Sequence, residues 1–213
     1  MMTSALEFSS SWSLGEDAYR AIRDDLRAIG ARCIVEFGSG TSTLRFSRDL
    51  PDAQIFSIEG DAHFLEQTRD NLRAHGGPAS VELVHRPLRW QRHGLGWFRS
   101  YEPGAFPNHV DAVLIDGPPL ATRRGREACL YQVFERCHEG TRFYLDDYRR
   151  DAEQQIVLNW LRAYPGALVQ RDTIPLDHQV AVLERVSDDF ARRAHWRNTA
   201  DSFIQTTKQL LRP

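Results

Sequence analysis

The sequence predicts an α/β protein built on a doubly wound, mostly parallel seven-stranded sheet whose last strand runs antiparallel. Three observations carry this. Short apolar runs alternate with segments of helical spacing along most of the 213 residues. The first run, Cys33-Ile34-Val35-Glu36-Phe37, passes directly into Gly38-Ser39-Gly40, a strand running into a glycine turn. The last two runs, Ala167-Leu168-Val169 and Gln179-Val180-Ala181-Val182-Leu183, are too close for a crossover helix between them, so one must oppose the other.

The elements follow in order. Residues 1–14 are serine-rich, carry Trp12 and read as an irregular arm. Tyr19, Ile22, Leu26 and Ile29 have helical spacing, and Gly30 stops that helix. After the glycine turn, Thr41 to Leu50 reads as a helix closed by Pro51. Residues 53–58 form a second strand ending at Glu59, and Asp61 caps a helix through Ala74 that Gly76-Gly77-Pro78 breaks. Residues 81–85 form a third strand. Residues 87–109 show no regular period; their aromatic residues among glycines and prolines suggest a pocket wall or lid. Val110 to Ile115 is a fourth strand, 123–138 a helix, Arg142 to Leu145 a fifth strand, and 151–164 a helix ended by Pro165-Gly166. The late strands are separated by a turn at Pro175, and residues 188–213 read as a helical tail. The expected organisation is an arm and helix over 1–30, one domain over 31–186 and a helical tail over 187–213.

Composition narrows the function. The formal net charge is −2 and the arginine doublets are scattered among acids, which gives no nucleic-acid footprint. No run of about eighteen apolar residues exists, so no membrane span is expected. Three cysteines without CxxC spacing, behind an N-terminus lacking a signal-peptide pattern, point to the cytoplasm. Of the 27 basic residues only Lys208 is lysine. A phosphate loop of the G-x-x-x-x-G-K-[ST] type therefore cannot be written, and Schiff-base chemistry is disfavoured.

Ligands on doubly wound sheets bind beyond the carboxyl ends of the strands, and here those ends are acidic or glycine-rich. Glycines after the first strand let a ligand approach the backbone. Glu36 beside them suits a cationic amine; its plainer alternative is a strand-end charge paired with an arginine. Glu59 falls where an acid accepts hydrogen bonds from a ribose diol; its alternative is a solvated turn. Asp116, Asp146 and Asp147 end two neighbouring strands. Three converging carboxylates need something positive between them, and oxygen-only ligands suit Mg²⁺, or Mn²⁺ or Ca²⁺. The alternative is that Asp147 caps the next segment or pairs with Arg149 or Arg150.

Ile34-Val35-Glu36-Phe37-Gly38-Ser39-Gly40-Thr41-Ser42-Thr43 resembles motif I of the class I S-adenosylmethionine-dependent methyltransferases. Glu59 matches their acid after the second strand, Val110 to Asp116 looks like their fourth strand, and the late pair matches their antiparallel seventh strand. The resemblance spans roughly residues 16–185. It implies the Rossmann-like methyltransferase fold, with S-adenosylmethionine held by Glu36, Gly38, Ser39, Gly40, Ser42, Glu59, Gly60, Leu88 and Asp116. In that family the glycine loop holds the methionine part, Ser42 reaches its carboxylate, Glu36 faces its amino group, and the segment near Pro87 and Leu88 flanks the adenine.

Leu145-Asp146-Asp147-Tyr148, with Asp116, is similar to the metal-dependent small-molecule O-methyltransferases of the catechol and macrolide-sugar types. That likeness implies a metal at Asp116, Asp146 and Asp147 that binds an acceptor hydroxyl and lowers its pKa. The lysine base of the catechol type is missing, since Pro118-Pro119-Leu120 stands there. His109, His93 and His85 are the histidine candidates, with His109 and Asp116 taken as catalytic. Trp12, Trp90, Trp97, Tyr101 and Tyr148 are candidates for an acceptor pocket, and the apolar residues of the tail suggest a homodimer. Asp116-Gly117-Pro118-Pro119 also resembles the [ND]PP-aromatic motif of amino-group methyltransferases, which keeps N-methylation of a small molecule or protein as an alternative. A nicotinamide-binding domain is disfavoured because Thr43 replaces the third glycine and Glu36 would repel a pyrophosphate. A non-catalytic partner subunit is disfavoured because the loop and Glu59 are intact.

Overall fold

The computed structural model describes residues 14–75, 80–94, 96–174, 180–193 and 195–211. Trp12 and the turn at Pro175 lie outside these residues. The element order is α1 (Glu16–Ala28), β1 (Cys33–Phe37), α2 (Thr41–Asp49), β2 (Gln54–Glu59), α3 (Ala62–Ala74), β3 (Val81–His85), β4 (Leu88–His93), β5 (Gly96–Tyr101), β6 (Val110–Ile115), α4 (Gly125–Val133), β7 (Cys137–Leu145), α5 (Asp151–Ala163), β8 (Leu168–Ile174), β9 (Val180–Arg185) and α6 (Trp196–Leu210). Seven strands form one sheet in the order β3-β2-β1-β6-β7-β9-β8. β3, β2, β1, β6 and β7 pair in parallel, and β9 runs antiparallel to both β7 and β8. The last strand is thus antiparallel, as the short gap between the late runs requires.

The alternation of side chains along each strand builds a core on both faces. Ile34, Ile55, Ala112, Leu114 and Tyr144 face one side, where Tyr19, Ile22 and Leu26 of α1 and Phe46 of α2 cover them. Val35, Phe37, Ile58, Val113, Ile115 and Phe143 face the other, under Leu130 and Val133 of α4 and Ile156 and Trp160 of α5. Trp160 is fully buried and its indole N–H donates to the Glu127 carbonyl at 2.9 Å. Gly30 adopts φ +65° after α1, a conformation only glycine takes without strain. The order of winding reverses between the parallel strands β1 and β6, whose neighbours on either side are reached by opposite crossovers. Their carboxyl ends therefore open the crevice in which such sheets bind ligands.

Three expectations are corrected. Residues 87–109 are not irregular throughout: β4 and β5 form an antiparallel hairpin, a second sheet packed on α4 and α6, and only 102–109 beyond it lack helix or strand. Residues 123–138 are not one helix. α4 ends at Val133, a short 3-10 turn covers Phe134–Arg136, and β7 already begins at Cys137. Residues 188–193 are not helical, so the C-terminal helix starts only at Trp196.

Candidate active site at the carboxyl ends of the strands

The turn after β1 is fastened from both sides. The Gly38 N–H donates to the Ile58 carbonyl at 2.9 Å, and the Asp116 and Gly117 N–H groups donate to the Phe37 carbonyl at 3.0 and 2.7 Å. Gly38 has φ +99°, and a Cβ there would meet the Gly117 nitrogen at 3.0 Å. Glycine is required by backbone conformation and by space at once.

Glu36 is fully buried below this turn. Ser42 donates to one of its oxygens at 2.5 Å, and Thr43 and Ser57 donate to the other at 2.5 and 2.6 Å. Burial raises its carboxyl pKa, the three hydroxyls oppose that, and nearby Glu59 adds to the rise. The Ser42 hydroxyl is therefore spent on Glu36. Thr43, standing where a dinucleotide fingerprint has its third glycine, also accepts the Gly40 N–H at 2.9 Å. Its hydroxyl relays between the glycine turn and the buried acid.

Glu59, at the end of β2, spans the turn's other side. One oxygen accepts the Ser39 N–H at 3.1 Å; the other accepts the N–H groups of Gly60 and Asp61 at 2.7 and 2.9 Å. Gly60 lies against Leu88 and Tyr101: a Cβ there would stand 3.2 Å from the Tyr101 ring and 3.3 Å from Leu88. Tyr101, the last residue of β5, is 1% exposed. Its hydroxyl would collide with any side chain at 117, and its ring lies 5.8 Å from that of Phe37. Burial, then Glu59, raises its phenol pKa well above the ordinary value. The hairpin thus delivers an aromatic residue into the crevice between Glu59 and Asp116.

Asp116, Asp146 and Asp147 do converge, with one carboxylate oxygen from each within 4.8 Å of the others. What the sequence did not reveal is Arg126 of α4. It is buried, donates to the Asp146 carbonyl at 3.1 Å, the Asp116 carbonyl at 2.5 Å and the Pro118 carbonyl at 3.3 Å, and pairs with Asp147 at 3.1 Å and Asp116 at 3.6 Å. Glu153, also buried, lies 3.8 Å from the same guanidinium, and Arg150 reaches Asp147 at 2.6 Å. Burial works against the Arg126 charge, but Asp116, Asp147 and Glu153 outweigh it and hold its pKa above the usual value. Burial first, then Asp146, raises the Asp116 carboxyl, and burial also raises Asp146. Asp147 adopts φ +61°, which turns its carboxylate back toward the cluster.

The remaining expected site residues do not assemble there. His109 precedes β6 and so lies at the opposite edge of the sheet, about 20 Å of strand away from Asp116. It contacts Asp111 and His138 instead, so the expectation that it activates the acceptor beside Asp116 is corrected. His93 sits in the hairpin against Gln91, Phe98 and Tyr131, and burial followed by Arg192 pushes its pKa down to about 4. His85 ends β3 with Nε2 3.2 Å from the Gly60 carbonyl. Trp90 and Trp97 do not line the strand-end crevice: they are 41% and 52% exposed on the hairpin's outer face, opposite Arg99 and Arg92, and Trp97 borders a small cavity against α6 instead. Tyr148 is partly buried, and its hydroxyl accepts from Gln170 of β8 at 3.1 Å. Of the five expected acceptor residues, Tyr101 stands beside Gly60 and Gly117, and Tyr148 follows Asp147 in the turn after β7.

No family model matches the chain, and no curated protein matches it. Solved structures do. An O-methyltransferase from Bacillus cereus, in complex with S-adenosylhomocysteine, superposes with a TM-score of 0.62 at 14% identity, over 83% of this chain and 84% of that one. A candidate O-methyltransferase from Klebsiella pneumoniae gives 0.62 at 20% identity, over 84% and 83%. The O-methyltransferase TomG from Streptomyces achromogenes, in complex with S-adenosylmethionine, gives 0.58 at 17% identity, over 83% and 82%. With its strand order and antiparallel last strand, the chain has the Rossmann-like fold of the methyltransferases.

Proposed function

We propose that the protein transfers a methyl group from S-adenosylmethionine to a hydroxyl of a small-molecule acceptor. The observation that carries this is the convergence of the Gly38–Gly40 turn, Glu59 and Asp116 on one crevice at the β1/β6 switch point. The superposable proteins whose names record O-methyl transfer and bound S-adenosyl ligands support the same reading. Bound S-adenosylmethionine supplies a sulfonium-activated methyl group. Gly38 admits the ligand to the backbone, and the Glu59 carboxylate would exchange its long Ser39 contacts for a ribose diol. Leu88 and Tyr101 offer apolar and aromatic surface beside Gly60. The buried charge of Glu36 favours a cationic ligand group above the turn and disfavours a phosphate. In the cation-free site Asp116, made more basic than a free aspartate by burial and by Asp146, would accept the acceptor's hydroxyl proton at a carboxylate oxygen.

The acid cluster also fits a divalent cation. Four carboxylates, Asp116, Asp146, Asp147 and Glu153, face two guanidinium groups, Arg126 and Arg150, and a buried Asp146 oxygen has no hydrogen-bond partner. Asp116, Asp146 and Asp147 would hold Mg²⁺, Mn²⁺ or Ca²⁺, which would supply Lewis acidity toward the acceptor oxygen. Arg126 keeps these acids together. The buried thiols Cys33, Cys129 and Cys137 are consistent with a reducing compartment such as the cytoplasm. On α6, Trp196, Phe203 and Leu210 are exposed at seven-residue spacing, which supports a homodimer through that helix.

The test is turnover of methyl-labelled S-adenosylmethionine against a panel of catechol, phenol and sugar hydroxyl acceptors. Label in an O-methyl product, lost in Asp116→Asn, supports the reading; label found only on amines overturns hydroxyl transfer. EDTA together with Asp146→Ala/Asp147→Ala tests the cation, and full activity in EDTA rejects it.

A further inference from the structure

The amino-terminal edge of the sheet carries a second cluster, about 17 Å of strand away from the acids of the crevice. His109 precedes β6, Asp111 is its second residue, and His138 is the second residue of the adjacent β7. The β6–β7 register breaks between Val110 and Ala112, and Gly140 takes φ +94°. Thr141 fixes this irregularity by donating to the Val110 carbonyl at 2.8 Å and accepting the His138 N–H at 2.9 Å. The result turns both histidines toward one carboxylate oxygen. His138 Nε2 lies 3.0 Å and His109 Nε2 3.3 Å from Asp111 Oδ1, and the two rings stack at 4.1 Å with 9° between planes.

We propose that His109, Asp111 and His138 form a binding site for a divalent transition-metal ion of the Zn²⁺ class. The hydrogen-bond inventory supplies the argument. His138 Nδ1 lies 2.7 Å from the Glu139 carbonyl, which only accepts, so the hydrogen of a neutral ring sits on Nδ1. Nε2 then directs a lone pair at Asp111 Oδ1, also an acceptor. That contact needs a positive charge between the two atoms. The other oxygen of Asp111 is held in place by the N–H groups of Arg32 and Cys33, both at 2.8 Å. Each of these two ligands thus has the outer hydrogen bond that orients metal-bound imidazole and carboxylate. Zn–N and Zn–O distances of about 2.0–2.2 Å at angles between 90° and tetrahedral place adjacent donors roughly 2.9–3.5 Å apart. The contacts of 3.0 and 3.3 Å fall within that range, and the exposed His109 ring would swing out of its stack on His138 to bring its in-plane lone pair onto the ion. Two imidazoles and one carboxylate select Zn²⁺, Ni²⁺ or Cu²⁺ over Mg²⁺. His109 is 69% exposed, which leaves room for a water as fourth ligand. An ion here would clamp the starts of β6 and β7 to the start of β1 through Asp111. The rival arrangement is a protonated His138 paired with Asp111, with His109 donating to the same oxygen.

The experiment is calorimetric titration of the tag-free full chain with ZnCl₂ in a non-chelating buffer, together with thermal melts. One ion per chain is expected to bind the histidine site in the micromolar range. At about a hundredfold excess over Kd the melting temperature should rise by about 6 °C. His109→Ala, at an exposed position, and His138→Gln should each weaken this micromolar binding at least about tenfold, whereas Asp146→Ala/Asp147→Ala should remove only a weaker second ion held by the acid cluster. Absence of binding at 100-fold molar excess establishes the ion-pair arrangement and overturns the proposal. Equal affinity in the histidine variants, or loss only in the aspartate variants, overturns it too.

Discussion

Replacing Arg126 with methionine keeps the apolar stem and removes the one buried cation among Asp116, Asp147 and Glu153. The side chain also donates to three backbone carbonyls, those of Asp116, Pro118 and Asp146, so it joins the ends of β6 and β7 to α4. Removing one partner of a buried ion pair costs about 3–5 kcal/mol because the remaining charges lose their counterion. For 213 residues at about 2.1 cal/mol/K each, the unfolding entropy near the midpoint is about 0.45 kcal/mol/K. The expected loss in Tm is therefore about 7–11 °C. Differential scanning calorimetry measures it directly, and Asp147→Asn in the same chain should restore part of it, since one uncompensated charge disappears. A loss under about 2 °C, or strictly additive effects of the two substitutions, would refute the view that Arg126 is the built-in counterion of the cluster.

Gly117→Ala forces a Cβ into the Tyr101 hydroxyl, an overpacking cost of about 1–3 kcal/mol. Calorimetry should show S-adenosylhomocysteine binding weakened about tenfold or more, and Tyr101→Phe should recover part of it. His93 has a folded pKa of about 4 against about 6.5 unfolded, so protonation favours the unfolded chain. Its contribution is present above pH 6.5 and lost as pH falls toward 4. After allowance for solvent screening of a half-buried ring it amounts to about 1–2 kcal/mol at pH 5. Urea midpoints at pH 5 and 7 should converge in His93→Phe, and an unchanged difference would contradict the assignment. Glu36 has a raised folded pKa, so it opposes folding increasingly as pH rises above about 4.5. Melts of Glu36→Gln should fall less than those of the wild type between pH 5 and 8. Light scattering should give about twice 24.5 kDa for the wild type and 24.5 kDa for Phe203→Asp; a monomeric wild type rejects the α6 dimer.

The sheet was readable because its strands are apolar runs that end in glycine or acid. Cys33–Phe37 into Gly38, residues 53–58 into Glu59 and Val110–Ile115 into Asp116 each declare both strand and crevice. The β4–β5 hairpin was not, because Leu-Arg-Trp-Gln-Arg-His contains no β-branched residue and its inner face packs on α4 and α6 rather than on the main sheet. The first half of β7, His138 to Thr141, has no apolar signal either; side-chain hydrogen bonds from Thr141 set it. The aspartates at 116, 146 and 147 were visible as strand ends, but their counterion was not. Arg126 sits 21 residues before Asp147 in a stretch that reads as an ordinary helix, and only the packing of α4 under β6 and β7 brings the two together. Likewise nothing in the spacing placed the candidate base His109, and the extended strand β6 sets it at the opposite end from Asp116.

Binding of S-adenosylhomocysteine to the purified chain, measured by calorimetry with NAD as a parallel titrant, tests the central claim most directly. The account predicts one site per chain with micromolar affinity for S-adenosylhomocysteine, lost in Glu59→Ala, and no heat with NAD. Absence of S-adenosylhomocysteine binding, or an affinity indifferent to Glu59, would contradict it.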